Sequence, residues 1–307
     1  MVCYAVDSEL VWIMPRYLDP KADIVFKKIF GEHPHLLRNF LNAILPLSPD
    51  KQIVELEYLS AKQAPQIPTF KRSIVDVKCK DVEGRIFIVE MQMEWTLGFM
   101  QRLLFNTAHA YVKQLYKAED YRSICPVYGI GLVNDIFERR TLDWYHHYKI
   151  VNAQNPKRQL EGLELVFLEL PKFKPSNQKE KRLRMLWIRF LSEIGEKTKQ
   201  VDQDLLAIPE IKEACALCEE AGYSETELEV YCKYWDEVRT SRTLLNGNWE
   251  EGRAEGIIEG EAKGRIAITK HLLAYGFAME GIANVTGFSL EEIKQIQESA
   301  DAIASLD

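Results

Sequence analysis

With 307 residues, 47% hydrophobic and 28% charged, the chain has the composition of a globular protein with room for one catalytic core and a helical addition. No apolar run approaches the ~18 residues of a membrane span. The net charge of −7 speaks against a uniformly basic nucleic-acid binder, but residues 1–200 carry 30 Lys/Arg against 24 Asp/Glu (+6) while residues 201–307 carry 9 against 22 (−13), so a basic body precedes an acidic tail.

In chain order, the stretch up to Met14 lacks a basic start and a cleavage site and does not read as a secretory signal. Met14 is the expected biological start, with residues 1–13 as upstream extension. From Ile24 to Leu45, the apolar residues Phe26, Ile29, Phe30, Leu36, Leu37, Phe40 and Leu41 fall at helical spacing. Ile53 to Leu59 is a candidate strand.

Ser73 to Glu94, SIVDVKCKDVEGRIFIVEMQME, reads as two strands joined by the three-residue loop Val82-Glu83-Gly84, with Gly84 in the left-handed position. Counting back from Asp81 opposite Arg85 places Cys79 against Phe87, Val77 against Val89, and Asp76 against Glu90. A one-residue slip would set apolar side chains against charged ones, so this register is specified. Two carboxylates facing each other repel. A bound cation relieves that repulsion, and oxygen-only ligands favour Mg²⁺ or Mn²⁺ over zinc. The alternative for such a pair is a half-exposed hairpin whose acids face water. Gln92, two residues after Glu90 and on its face, ends the second strand in Glu-x-Gln.

Gly98 to Lys117 is the next predicted helix, followed by a buried-type strand, Val127 to Val133, and a further candidate strand, Leu163 to Leu170, closed by Pro171 and Pro175. Asn177 to Leu245 is helical in pattern, with an apolar stripe of Leu183, Leu186, Trp187, Phe190 and Leu191, and Ser224 with Glu227 forms a capping box. Gly252, Gly256, Gly260 and Gly264 then recur every four residues. At about 1 kcal/mol per glycine relative to Ala, they predict a loosely helical linker, or a face that another chain approaches closely. Short helices follow, with a second capping box at Ser289 and Glu292; their acidity fits self-association (a homo-oligomer) or partner docking better than DNA reading.

Cysteines at 3, 79, 125, 215, 218 and 232 show no disulfide or zinc framework and imply a reducing, cytoplasmic setting. Cys215-x-x-Cys218 stands without a second ligand pair, and His146-His147 read as surface residues.

Asp76, thirteen residues, then Glu90-Met91-Gln92 resembles the PD-(D/E)XK nuclease site in the Glu-x-Gln form typical of the Rpn family of recombination-promoting nucleases and transposases. Asp23-x-x-Phe26-Lys27 resembles that family's opening helix, Gln101-Arg102 its second helix, and the Glu-Gly tail its repeat tail. The resemblance implies an α/β fold with a restriction-endonuclease-like αβββαβ core and a C-terminal helical extension. The expected divisions are a nuclease-like domain over 14–175, a helical region over 176–248, and a Glu/Gly-repeat linker with a small helical tail over 249–307. It further implies a Mg²⁺- or Mn²⁺-dependent DNA endonuclease acting in recombination or mobile-element movement. Asp76, Glu90 and the Met91 carbonyl would hold the metal, with Asp23 an outer ligand or water-orienting group. Gln92 stands where most of the superfamily has Lys. A neutral amide positions water but supplies no positive charge, a role left to Lys78 or, less well placed, Lys27. Lys27, Lys71, Arg72, Lys80 and Arg102 are the DNA-contact candidates, Arg102 being equally suited to a salt bridge with a core acid. Lys172, Lys174, Lys179, Lys181, Arg182, Arg184 and Arg189 form a second basic cluster, either a phosphate track or a solvated helix face. The competing functions are an inactive DNA-binding or transposon-associated factor, and an interaction protein acting through its acidic tail.

Overall fold

A computed structural model describes residues 2–6, 9–13, 17–63, 73–115, 120–174 and 182–304, and resolves two compact units, Met1–Val238 and Arg239–Asp307. Met14, Lys71, Arg72, Lys179 and Lys181 lie outside the described residues.

In the first unit, strands β1 (Val2–Val6) and β2 (Glu9–Ile13) pair with each other. The helical stretch after Ile24 is two helices rather than one, α1 (Asp23–Phe30) and α2 (Pro34–Ile44). Gly31 caps α1, its N–H bonding to the Lys27 carbonyl at 2.7 Å, and Pro34 opens α2 where its missing N–H costs nothing. The apolar period continues across the break, so hydrophobic spacing alone did not reveal it.

Next come β3 (Leu56–Tyr58), the short pair β4 (Lys62–Gln63) and β5 (Ser73–Ile74), and the hairpin β6 (Val77–Asp81) and β7 (Ile86–Gln92). Helix α3 (Leu97–Val112), β8 (Val127–Val133), and a second hairpin, β9 (Tyr145–Asn152) and β10 (Asn155–Glu169), complete the sheet elements. Six strands make one mixed sheet in the order β3-β6-β7-β8-β10-β9. Strands β7, β8 and β10 run parallel; the other pairings are antiparallel.

Both faces of the sheet are covered. Val77, Cys79, Phe87, Val89, Ile130, Leu132, Val166 and Leu168 share a core with α1 and α2, while Ile86, Ile88, Val127 and Phe167 pack with Phe99, Leu103 and Ala110 of α3. Such double burial accounts for the continuous apolar runs of β7 and β8. Gly129 and Gly131 of β8 let α3 come close: a side-chain carbon at Gly131 would meet Phe167 at 2.9 Å and Phe99 at 3.0 Å.

The helical stretch after residue 176 does not stand apart. Helices α4 (Arg182–Glu193), α5 (Gln203–Leu206) and α6 (Pro209–Leu217), and the start of α7 (Glu225–Ala274), contribute Trp187, Phe190, Leu205, Ile211 and Tyr231 to the α1–α2 core. Leu186, Phe190 and Ile211 would otherwise leave a large apolar face in water, so the division expected at 175 gives way to a shared interior.

In the second unit, the repeating glycines sit inside the continuous helix α7, with open space where their side chains would be. Helices α8 (Met279–Thr286) and α9 (Leu290–Ala304) follow, with Gly287 in the left-handed region at φ 70°. Both capping boxes form: the Ser224 N–H donates to Glu227 and the Ser289 N–H to Glu292, each at 2.7 Å. No helix among the described residues is long and apolar enough to cross a membrane.

Candidate active site

The hairpin has the register set by its three-residue loop. Val77 pairs with Val89, Cys79 with Phe87, and the Asp81 N–H bonds to the Arg85 carbonyl, with Gly84 at φ 81°. Asp76 lies one residue before β6, where the chain leaves the sheet, and its Oδ2 accepts the Met91 N–H at 2.7 Å. The carboxylate thus takes the place of a main-chain partner at the end of the ladder.

Glu90 alternates with Val89 and faces α3, where it is only 3% exposed. An isolated carboxylate there would be costly. Helix α3 supplies its partners four residues apart on one face: Asn106 Nδ2 donates to Glu90 Oε1 at 2.7 Å, and Arg102 Nε to Oε2 at 3.3 Å. Arg102 also donates from Nη2 to Gln92 Oε1 at 2.8 Å, and Gln92 Nε2 donates to the Glu94 carbonyl at 2.7 Å. Asn106, fully buried, was not anticipated from sequence, although it sits on the helix surface between Arg102 and the buried Leu103 and Ala110.

Burial pushes the Asp76 carboxyl up from its ordinary 3.8 to about 6. The Met91 N–H opposes this, the Asp23 and Glu90 carboxylates reinforce it, and Lys27 opposes it weakly. Asp23 and Lys27 form an ion pair at 2.7 Å on α1, so Lys27 is engaged locally. The carboxylates of Asp23 on α1 and Glu90 on β7 therefore both bear on Asp76 at the end of the hairpin, which is the electrostatic setting a cation would relieve. Among the described residues no three His, Cys, Asp or Glu side chains form a ready-made metal cage. A hard ion here would draw on Asp76, Glu90, a main-chain carbonyl and water, which is how Mg²⁺ is ordinarily held.

A family model described as PD-(D/E)XK nuclease family transposase matches residues 20–242. The chain belongs to this family. No curated protein and no solved structure matches it. The span matched to the nuclease family transposases runs from just before α1 through the sheet and α4–α6 into α7, and so takes in both the hairpin and the helices sharing its core.

The remaining anticipated residues of this nuclease-family chain fall into different surroundings. Lys78 shares the α3-facing side of β6 but has Lys113 and His109 as its charged neighbours. Lys80 points to the sheet edge and pairs with Glu57 at 3.0 Å. Within the second basic cluster, Lys172, Arg184 and Arg189 are structural. Arg184 donates to the Ala43 and Ile44 carbonyls, Arg189 pairs with Glu193 and Asp202, and Lys172 pairs with Glu169 at 2.6 Å. These guanidinium and ammonium groups are committed to holding helix ends and a buried acid, so they do not form a phosphate track.

His146 and His147 are not surface residues. His146 bonds the fully buried Glu169 at 2.8 Å and His147 bonds Glu164 at 2.6 Å. Burial pushes the Glu169 carboxyl up, but hydrogen bonds from Lys172, the Glu138 N–H, His146 and the Phe137 N–H together hold it below its usual range. Through Phe137, stacked on Trp95 at 4.4 Å, this cluster braces the segment just after Gln92. Burial pushes the Cys215 thiol up to about 12 and the Cys218 thiol well above its ordinary value, so both are neutral core groups, unsuited as thiolate ligands.

Proposed function

We propose that this chain is a Mg²⁺- or Mn²⁺-dependent DNA endonuclease of restriction-endonuclease-like αβββαβ architecture, with its centre at Asp76, Glu90 and Gln92. The observation that carries this reading is the convergence of the part-buried Asp76 and the buried Glu90 at the point where β6 leaves the sheet. Asp76, Glu90 and the Met91 carbonyl would hold the metal, with Asp23 behind Asp76. When bound, the ion would lower the pKa of its water and neutralise charge on the scissile phosphodiester. Gln92, pinned at both ends of its amide, orients rather than deprotonates the attacking water. Arg102, half exposed at the rim, supplies the positive charge absent from Gln92, its planar fork suiting a phosphate oxygen. Asn106 holds Glu90 in place.

The test is plasmid or oligonucleotide cleavage by wild type, Asp76→Ala and Glu90→Gln, with Mg²⁺ and with chelator. Cleavage that requires metal and falls to background in both variants is expected. Equal residual cleavage in all three proteins would refute the assignment, and metal-independent DNA binding without any cleavage would favour an inactive, transposon-associated factor.

A further inference from the structure

Helix α3 carries more than the two residues that grip Glu90. Arg102, Phe105, His109 and Lys113 follow one another at intervals of three and four, so they line a single stripe of the helix and its C-cap. Phe105 is 47% exposed and, with Leu97, Leu104 and Val112, is an apolar side chain that α3 turns to solvent while it buries Phe99, Leu103 and Ala110. Its ring lies parallel to the His109 imidazole, 6° between planes and 6.0 Å between centroids. Lys78 reaches the same neighbourhood from β6. It is half-buried and has no salt bridge among the described residues. His109 feels burial first and then Lys113 and Lys78, each lowering its proton affinity. Cations gathered at a partly desolvated place repel one another, and an anion relieves that repulsion.

We propose that this stripe is a binding track for single-stranded DNA, in which a base stacks on the Phe105–His109 pair and backbone phosphates are met by Arg102 at one end and by Lys78 and Lys113 at the other. The aromatic face selects a single strand, because in a duplex the bases are stacked on each other and the flat ring has no free face to cover. The positive groups flanking the ring are complementary to the phosphodiester backbone. The spacing also fits. From Arg102 to His109 is about 10 Å along the helix, roughly three steps of a stacked strand. A strand laid from Lys113 toward Arg102 arrives at Gln92 and Glu90. The inference rests on the nuclease reading only for what stands at the end of the track.

Binding can be measured apart from cleavage. Full-length protein in chelator is titrated against a labelled single strand and its duplex by fluorescence anisotropy. Phe105→Ala should weaken single-strand binding by roughly 5- to 100-fold, with a far smaller effect on duplex; Phe105→Trp should retain it. Replacing bases along the strand with abasic residues should cost wild type a similar factor and cost Phe105→Ala little, a comparison that also serves if the alanine variant folds poorly. Lys78→Gln should reduce the salt dependence of single-strand binding by about 0.7 in the log–log slope. Equal losses on single strand and duplex, no loss on either, or self-association abolished by Phe105→Ala with DNA binding intact would each overturn the proposal. Absence of metal-dependent cleavage in wild type would count against the nuclease reading alone and leave the binding comparison standing.

Discussion

Asp76→Asn separates the electrostatic cost of the site from its geometry. In the unfolded chain the Asp76 carboxyl titrates near its ordinary 3.8, and in the folded protein at about 6. Between these values the folded state keeps a proton that the unfolded chain has released. Stability therefore falls as pH rises through that window and stays low above it. At roughly 1.4 kcal/mol per tenfold change in proton affinity, the ionised carboxylate costs about 3 kcal/mol at neutral pH. Asparagine retains an acceptor for the Met91 N–H, and the charge assistance that bond loses is already contained in the net shift. The net expectation is a gain of about 3 kcal/mol, or roughly 6–12 °C in Tm. Thermal and urea denaturation in chelator, at about pH 8 and about pH 4, reads this directly, since near pH 4 the wild-type carboxyl is largely neutral and the difference should nearly vanish. A divalent cation should stabilise wild type and not Asp76→Asn. No gain at the higher pH, or the same gain at both, would show that burial and the Asp23 and Glu90 carboxylates do not bear on Asp76 as described.

Other perturbations follow from the surrounding packing. Asn106→Leu removes the donor to Glu90 Oε1 in a fully buried place and should cost about 1–3 kcal/mol in urea unfolding; combining it with Glu90→Gln should cost less than the sum of the two changes. Gly131→Ala forces a methyl group against Phe99 and Phe167 and should destabilise by about 1–3 kcal/mol while lowering activity through displacement of α3. Lys172→Met leaves the buried Glu169 short of its closest cation and should cost about 3–5 kcal/mol near neutral pH. Because the Glu169 carboxyl is held below its usual range, the stability it contributes is present above the unfolded value of 4.5 and is lost as pH falls through the folded one, so the variant and wild type should converge in acid.

How much of this was legible depended on whether local chemistry decided the outcome. The hairpin register was readable because Gly84 fixes the loop and because Val77, Cys79, Phe87 and Val89 tolerate only one pairing. Strand β8 was readable as an uninterrupted apolar run. Strand β9 was not: its outer residues are exposed, the apolar Ile150 and Val151 beside Lys149 and Asn152, and only pairing with β10 makes it a strand. Asp76 and Glu90 could be placed opposite each other by counting, and a salt bridge from Arg102 to a core acid was one of its two anticipated roles, but Asn106 as the second partner of Glu90 depends on how closely α3 approaches the sheet, which Gly129 and Gly131 determine from far along the chain. The same holds for Arg184, Arg189 and Lys172, whose basic sequence pattern says nothing of the carbonyls and acids they meet after folding.

Asp76 divides the labour of its two oxygens. Oδ2 terminates the hydrogen-bond ladder at Met91, which ties the carboxylate to the sheet and leaves Oδ1 out of that bond. Asparagine at this position copies the terminator without the charge, while glutamate keeps the charge but carries it a methylene beyond the ladder. The two substitutions thus isolate shape from charge at a single atom pair, and the sheet itself acts as the jig that holds the carboxylate.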